Sequence, residues 1–344
     1  MNAVNHPISK AGTLRWLLKR EYWENRGGFL YAPFIAGFAS LVMSSIGIMF
    51  GLFAMRRAAE GSHLTIDGET VDVNVNGLDL NLLTSKLDAK DLVELANGLD
   101  LTLILSSLWP FIVLAFVVFF YCLGALYDDR RDRSILFWKS LPLSDTQTVL
   151  SKAVSALLVA PVIAMIASIL TMFAFLGIIS LVVVAHGGSP NALIWGPASP
   201  LSIAAGHVSW IVVYLLWALP TVGWLLLCSA WARTKPFLWA VMLPVFAGIM
   251  VSTTKVMSLF DMTSGWFWKN IVGRLLLGTL PGSDLLYRSE QIAAVANNRD
   301  NLAAALAPAS QLAALRLPEL WIGAAVGIAF ILIAIRLRRR AGEI

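Results

Sequence analysis

The feature that most constrains this chain is a run of 80 residues, 153–232, that contains no Asp, Glu, Lys or Arg. Two further runs without these residues cover 27–55 and 101–127. A helix that crosses a bilayer needs about 20 apolar residues, so each run can span a membrane and the longest can hold two spans. Only 14% of the 344 residues are charged and 58% are hydrophobic. This composition excludes a disordered chain, a disulfide-stapled secreted domain and an ordinary cytosolic enzyme.

We therefore predict an all-α polytopic membrane protein with six transmembrane helices, an N-terminal interfacial helix and two long external segments. The spans are expected at residues 29–55, 101–127, 148–185, 204–231, 236–257 and 319–336. The turn-forming residues of 186–203 separate the third span from the fourth, and residues 232–235 make a short turn before the fifth. The last span is short, but the flanking side chains of Glu319 and Arg336 can snorkel to the membrane surface.

The two long external segments differ in character. Segment 56–100 is acidic, with nine Asp+Glu against four Lys+Arg. Alternation over residues 65–75 predicts a strand there, and the periodicity of 78–97 predicts a helix. Segment 258–318 holds apolar pieces that are each too short to span alone, so we predict interfacial or re-entrant helices. The alternative is an extra hairpin of two poor spans.

Charge predicts the orientation, because basic residues concentrate in short cytoplasmic segments. With six spans, sixteen of the 26 Lys+Arg fall in 65 residues on one side and ten fall in 130 residues on the other. We expect a multi-pass protein of the cell inner (cytoplasmic) membrane with both termini in the cytoplasm. Residues 1–28, 128–147 and 337–344 are then cytoplasmic. The net charge of +5 is interpreted as a topology signal, so we expect no nucleic-acid partner.

Motifs for chemistry are missing from the sequence. The chain has no G-x-x-x-x-G-K-[ST] phosphate loop and no H-E-x-x-H or C-x-x-C metal motif. His186 and His207 flank one turn, but we interpret them as part of a polar loop and predict no metal site. The spans hold no acid, Lys or Arg well inside their boundaries, unlike most ion-coupled carriers. We expect no catalytic residue here, and expect another chain to do the chemistry.

Two cytoplasmic segments have the character of contact surfaces. Residues 1–28 are predicted to form an amphipathic connector helix with one polar stripe, which consists of Arg15, Lys19, Tyr22 and Arg26. A simple basic topology signal is the alternative for this segment.

The loop after the second span begins as a charged helix at Tyr127, in which Asp129 can pair with Arg133 at i,i+4 spacing. Its centre is apolar around Trp138, and Leu141-Pro142 breaks the helix. Ser144 then offers an N-cap for the third span, with Gln147 completing a capping box. These features favour a docking surface, although a solvated loop whose aromatic residues touch the membrane is an alternative.

With these features the sequence resembles the membrane subunit of ABC-2-type ATP-binding-cassette exporters, the six-helix class also called type V. Family members share the N-terminal helix and a large loop after span one. After span two, a charged Tyr/Glu/Arg-rich helix leads to a Leu-Pro-Leu/Val-Ser turn and a Lys that starts span three. Here those positions are 127–133, 141–144 and Lys152. Only 127–152 carries a specific motif, and the long segments 56–100 and 258–318 depart from simpler members.

The resemblance implies a permease that pairs with a separate nucleotide-binding ATPase subunit. ATP and Mg would be bound by that partner, and no cofactor by this chain. It also implies a homodimer or pseudo-dimer of permeases surrounded by membrane lipids. The Trp, Phe, Met, Ser and Thr of the spans suit an amphipathic or apolar cargo, such as a lipid, peptide or drug.

Candidate site residues follow from the loop and from glycine spacing. For coupling to the ATPase the candidates are Tyr127, Asp129, Arg133, Trp138, Leu141 and Pro142. For dimer packing the candidates are two Gly-x-x-x-Gly pairs, whose spacing allows close helix contact. These pairs are Gly47 with Gly51 in the first span and Gly323 with Gly327 in the last.

Two other functions stay open at this point. One is a membrane-embedded lipid-modifying enzyme, and the other is a secondary carrier or channel. Activity of the purified chain without ATP or a partner would favour either of them. A neighbouring gene for an ATPase with a phosphate loop would favour the exporter.

Overall fold

The computed structural model describes residues 10–59, 64–66, 69–71, 88–132, 143–254, 257, 263–287 and 307–340. Six of its helices are long and apolar enough to cross a membrane, as expected of an all-α multi-pass membrane protein. They are Gly27–Ala54, Lys90–Arg131, Asp145–Ala185, Pro200–Trp217, Pro236–Thr254 and Pro318–Arg340.

The α-helices are numbered here in chain order. They are α1 (Lys10–Glu24), α2 (Ala32–Ala59), α3 (Ala89–Ala125), α4 (Tyr127–Arg131), α5 (Asp145–Val154), α6 (Ala160–Ala185), α7 (Pro200–Trp217), α8 (Leu219–Trp231), α9 (Pro236–Thr254), α10 (Ser264–Phe267), α11 (Arg274–Leu276), α12 (Pro308–Ala313) and α13 (Pro318–Arg340). Single π-helical turns cover Gly27–Tyr31, Ser155–Val159, Asn191–Trp195 and Trp268–Gly273, and 3₁₀ turns cover Ser283–Tyr287 and Ala314–Arg316.

Segment 56–100 contains a small antiparallel hairpin. Strand β1 (Leu64–Ile66) pairs with β2 (Glu69–Val71), with Leu64 opposite Val71. The sequence alternation predicted a strand in this region. The predicted helix 78–97 falls partly outside the described residues, which resume at Asp88.

Helix α3 begins at Ala89, well before the predicted start of the second span at residue 101. The helix therefore passes through Asp100, which lies outside the second span expected from the sequence. Asp100 is buried, and its carboxylate accepts hydrogen bonds from the backbone N–H of Ser199, at 2.8 Å, and from the Ser199 hydroxyl. This pairing satisfies the carboxylate, so the charge does not interrupt the helix.

The predicted N-cap of the third span is confirmed. Ser144 Oγ accepts a 3.2 Å hydrogen bond from the backbone N–H of Gln147. In return, Gln147 Oε1 accepts a 3.3 Å bond from the backbone N–H of Ser144. This reciprocal capping box fixes where α5 begins.

The predicted fourth span consists of two consecutive helices, α7 and α8, that meet at Ala218. Pro220 lies in the first turn of α8, where a missing backbone N–H is tolerated. The core packs α3, α5, α6, α8 and α13 together around fully buried Leu114, Val118, Leu225 and Leu226. Large apolar side chains on the outer faces of the bundle stay exposed, as lipid contact requires.

The last helix approaches α8 very closely. A Cβ placed on Gly327 would lie 2.4 Å from the backbone carbon of Leu219, and one on Gly223 would lie 2.5 Å from the Gly327 oxygen. The close approach allowed by the glycine spacing in α13 is therefore made within the chain. By contrast, Gly47 and Gly51 meet no described heavy atom within 4 Å, so their face of α2 is open.

Within segment 258–318, residues 263–287 pack onto the bundle. Thr221 Oγ1 in α8 donates a 2.7 Å hydrogen bond to the Arg274 carbonyl and accepts a 3.1 Å bond from Gly278 N–H. On the other side, Trp268 Nε1 donates to Ser252 Oγ in α9 at 2.9 Å. These bonds hold the segment against α8 and α9. Its re-entry into the membrane stays a prediction.

Candidate functional site

A cluster of buried charges lies at the end of the bundle where Glu21 and Arg338 are found, which we call the terminal end. The Lys152 side chain is 5% exposed and the Glu21 side chain 1%, and Lys152 Nζ lies 3.2 Å from Glu21 Oε1. Tyr121 OH donates a 2.8 Å hydrogen bond to Glu21 Oε2. Because a buried charge is costly without a partner, this contact binds α1 firmly to α3 and α5.

Arg338, near the end of α13, extends the cluster. Its Nη1 lies 2.9 Å from Asp129 Oδ2, and its Nε lies 3.2 Å from Asp145 Oδ1. The same oxygen of Asp129 lies 3.7 Å from Lys152 Nζ. Asp129 lies near the start of the predicted coupling loop 128–147 and Asp145 near its end, so one guanidinium connects the two ends of that loop.

Arg20 extends the cluster along α1. Its Nη2 lies 2.6 Å from Glu21 Oε1, and its Nε lies 3.3 Å from Glu24 Oε1. The terminal cluster thus consists of four carboxylates and three cations: Glu21, Glu24, Asp129, Asp145, Arg20, Lys152 and Arg338. Charge-assisted hydrogen bonds of this kind are stronger than neutral ones, so the cluster can hold several helix ends as one unit.

Hydrogen bonds to α8 also hold the start of the predicted coupling loop. Arg130 Nη2 donates to the carbonyl oxygens of Ser229, at 2.5 Å, and Ala232, at 2.9 Å. Ser229 Oγ accepts from the backbone N–H of Leu126, at 3.0 Å, and Tyr127, at 2.9 Å. The turn from α3 into α4 is therefore tied to the end of α8.

The structure describes two of the six predicted coupling residues. Tyr127 is anchored through its backbone to Ser229, and Asp129 is shared by Lys152 and Arg338. The predicted pairing of Asp129 with Arg133 lies outside the described residues, as do Trp138, Leu141 and Pro142. Their coupling role stays a prediction.

The sequence did not predict that Glu21 pairs with Lys152, or that Arg338 pairs with Asp129 and Asp145. It offered only local indications of these residues. Glu21 follows Leu17 by four residues, so both lie on the same face of α1, and both are buried. Lys152 directly precedes the long charge-free run, where a lysine needs a partner, but the sequence does not say which carboxylate supplies it.

A cavity of ≈ 290 Å³ lies at the far end of the bundle, among α3, α7 and the turn at Pro281. Its wall is mainly apolar, with His207 and Gln311 among the polar residues. His207 Nε2 lies 3.2 Å from Ser107 Oγ, and its Nδ1 lies 2.7 Å from the carbonyl oxygen of Ile203. Because Ser107 is fully buried, this contact packs α3 against α7 and offers no exposed nucleophile.

The rings of His186 and His207 are oriented by backbone contacts. Among the residues that the structure describes, no group of three or more His, Cys, Asp or Glu is placed to hold a metal ion. His186 Nδ1 lies 2.8 Å from the Val182 carbonyl oxygen of its own helix. Both rings thus contact backbone within the helix that carries them.

Known proteins offer no template for these sites. No protein-family model, curated protein or solved structure matches the chain. The chemistry of the terminal cluster must therefore be inferred from its contacts. Its carboxylates and cations are bound to one another, which suits the transmission of a displacement between helices.

Proposed function

We propose that this chain is the transmembrane subunit of an ABC-2-type (type V) exporter, driven by ATP that a separate ATPase subunit hydrolyses. The observation that carries the proposal is the terminal cluster. It ties both ends of the loop 128–147 to α13 through Asp129, Asp145 and Arg338, and to α1 through Lys152 and Glu21. A partner that moves this loop would displace four helix ends together.

Helix α1 supports a second contact with the partner or with the membrane surface. Its buried face holds Leu17 and Glu21, while Trp16 and Trp23 on other faces stay exposed. Lys19 Nζ lies 5.7 Å from the centre of the Trp16 ring. Exposed aromatic and basic residues on one short helix suit the interface between membrane and water.

The far-end cavity supports a transport role. Its apolar wall with a few polar groups fits an amphipathic cargo such as a lipid, peptide or drug. In this proposal the terminal end, with its basic segments, faces the cytoplasm of a cell inner membrane. ATP and Mg are held by the partner, and the open Gly47 face of α2 is a candidate contact between two permeases.

The test is co-purification of the neighbouring ATPase with loop variants of this chain. Trp138→Ala is expected to cost on the order of 2 kcal/mol of association if Trp138 fills a groove in the partner. Leu141→Asp should cost more, because a buried unpaired carboxylate is strongly disfavoured. Trp195→Ala, which removes an exposed tryptophan beyond the other end of α6, is the matched control.

The expected result is that both loop variants reach the membrane in normal amounts but lose the ATPase, while Trp195→Ala retains it. Wild-type partner binding and transport in both loop variants would overturn the coupling role of the loop. Transport by the purified chain without ATP would overturn the exporter proposal as a whole.

A further inference from the structure

Arg274 has a buried guanidinium, and its surroundings indicate what it can bind. It is only 7% exposed. Its Nε, Nη1 and Nη2 are buried, and none of them has a hydrogen-bond partner among the described residues. A guanidinium carries five N–H donors and no acceptor, so the groups that could satisfy it are acceptors such as phosphate or carboxylate oxygens.

The guanidinium is held in one orientation. Its central carbon lies 3.3 Å from the centre of the Trp217 ring, so the two groups are stacked. Trp217 is itself fixed, because its Nε1 donates a 3.0 Å hydrogen bond to Ser283 Oγ. Gly323 leaves the necessary room, since a Cβ at that position would lie 2.6 Å from Arg274 Nη2. The donors are therefore positioned before any ligand arrives.

Arg274 also stays charged. Burial lowers its pKa to about 10, and the nearby groups Tyr287, Asp284 and Glu319 oppose that change. A pKa of about 10 leaves the guanidinium protonated at neutral pH. A buried cation without a hydrogen-bond acceptor among the described residues favours an anionic ligand.

Arg274 is one of the residues that line a cavity of ≈ 260 Å³ between segment 263–287 and α13. One part of the wall is polar, with Arg274, Asn270 and the exposed Glu319. The other part is an apolar stripe on α13 with a spacing of four residues, formed by Ile322, Val326 and Phe330. Ile322 is 65% exposed and Val326 is 41% exposed, so the stripe continues onto the outer surface of the bundle.

The polar wall together with the apolar stripe favours a lipid over a free anion as the ligand. The stripe runs for eight residues of helix, about 12 Å, which is enough for part of an acyl chain. A free phosphate would leave that apolar surface unused. Glu319 adds a negative charge to the same wall, which favours a headgroup that carries a cation as well as a phosphate.

We propose that this cavity binds a zwitterionic phospholipid, with the phosphate on Arg274, the headgroup ammonium beside Glu319 and an acyl chain along Ile322, Val326 and Phe330. Phosphatidylethanolamine has this chemistry. The site is independent of the proposed ATPase partner, because it lies near the start of α13 and the coupling residues lie near its end. Its test therefore needs only the purified chain.

The experiment is a lipid titration of the full chain in detergent, followed by native mass spectrometry. The probes are phosphatidylethanolamine, phosphatidylglycerol and inorganic phosphate. Arg274→Gln should weaken phosphatidylethanolamine binding about tenfold, as expected for the loss of charge-assisted hydrogen bonds. Arg316→Gln removes an exposed guanidinium just before α13 and should leave binding unchanged.

Glu319→Gln tests the headgroup directly, and it should abolish the preference for phosphatidylethanolamine over phosphatidylglycerol. If Arg274→Gln does not fold, Arg274→Lys keeps the charge but loses the planar fork, and weaker binding is expected again. Unchanged affinity in the Arg274 variant that folds would overturn the proposal. A wild-type preference for phosphatidylglycerol, or inorganic phosphate binding as tightly as the lipid, would also overturn it.

Discussion

Lys152 and Arg274 are both buried cations, but their surroundings differ. Lys152 lies within 4 Å of two carboxylates, Glu21 and Asp129. Arg274 stacks on Trp217, and its nitrogens meet no hydrogen-bond acceptor among the described residues. The first cation is satisfied by the fold, whereas the second is positioned but not satisfied. The difference separates a charge that joins helices from a charge that is available to a ligand.

One helix carries a residue in contact with each region. In α13, Gly323 lies against the Arg274 guanidinium and Arg338 belongs to the terminal cluster. The two positions are fifteen residues apart, which is about 22 Å along the helix. Between them, α13 packs closely on α8 at Gly327.

Lys152→Met should have the largest effect on stability, because it leaves Glu21 buried with one cation fewer. Breaking a buried ion pair by removing one partner typically costs about 3–5 kcal/mol of unfolding free energy. Unfolding by SDS in mixed micelles measures the change. Lys19→Met, which removes an exposed lysine from α1, should change stability little. Equal losses in the two variants would show that Lys152 is not specially paired.

A double variant tests whether Lys152 and Glu21 stabilise the chain through contact with each other. If Lys152 and Glu21 stabilise each other, Glu21→Gln should destabilise the chain less in a Lys152→Met background than in the wild type. The measurement is a double-mutant cycle under the same unfolding conditions. Additive losses would mean that the two groups act independently.

Arg338→Gln should have the second-largest effect. It removes hydrogen bonds to Asp129 and Asp145, and a hydrogen bond to a charged group contributes about 1.5–3 kcal/mol. Arg336→Gln, two residues earlier and exposed, is the control. In the proposed complex with an ATPase subunit, the Arg338 variant should also couple hydrolysis to transport less well. Unchanged stability and coupling in Arg338→Gln would show that Arg338 does not contribute to the terminal cluster.

Arg274→Gln should have the smallest effect on a lipid-free chain. The variant loses a stacking contact with Trp217 worth about 0.5–2 kcal/mol, but it also removes an unsatisfied buried charge. Because these terms oppose each other, the net change in unfolding free energy should stay below about 1 kcal/mol. A loss as large as that of Lys152→Met would show that Arg274 has a partner within the chain.

Much of the fold followed from the sequence because charge-free runs have few alternatives to a buried or membrane-spanning helix. The structure has the predicted number of candidate membrane-spanning helices, six, and the Ser144 capping box was readable from residues three apart. The start of α3 was not predictable, because the buried Asp100 depends on Ser199, which is distant in the sequence.

The partners of the buried charges were harder to predict, because they too are distant in the sequence. A local pattern offers partners three or four residues away, which led to the pairing of Asp129 with Arg133. The partners that the structure describes, Lys152 and Arg338, come from other helices. Arg274 was visible as one basic residue in an apolar piece, but its lack of an acceptor depends on tertiary packing.

The most direct test of the difference between the two cations is thermal unfolding of the detergent-purified chain with and without phosphatidylethanolamine. A ligand that binds only the folded state raises its stability by RT ln(1 + [L]/Kd), where [L] is the free ligand concentration. The lipid should raise the melting temperatures of the wild type and of Lys152→Met alike, and should raise that of Arg274→Gln less, because tenfold weaker binding removes up to about 1.4 kcal/mol of the stabilisation. Equal stabilisation of all three proteins by the lipid would contradict the view that Arg274, and not the terminal cluster, is open to a ligand.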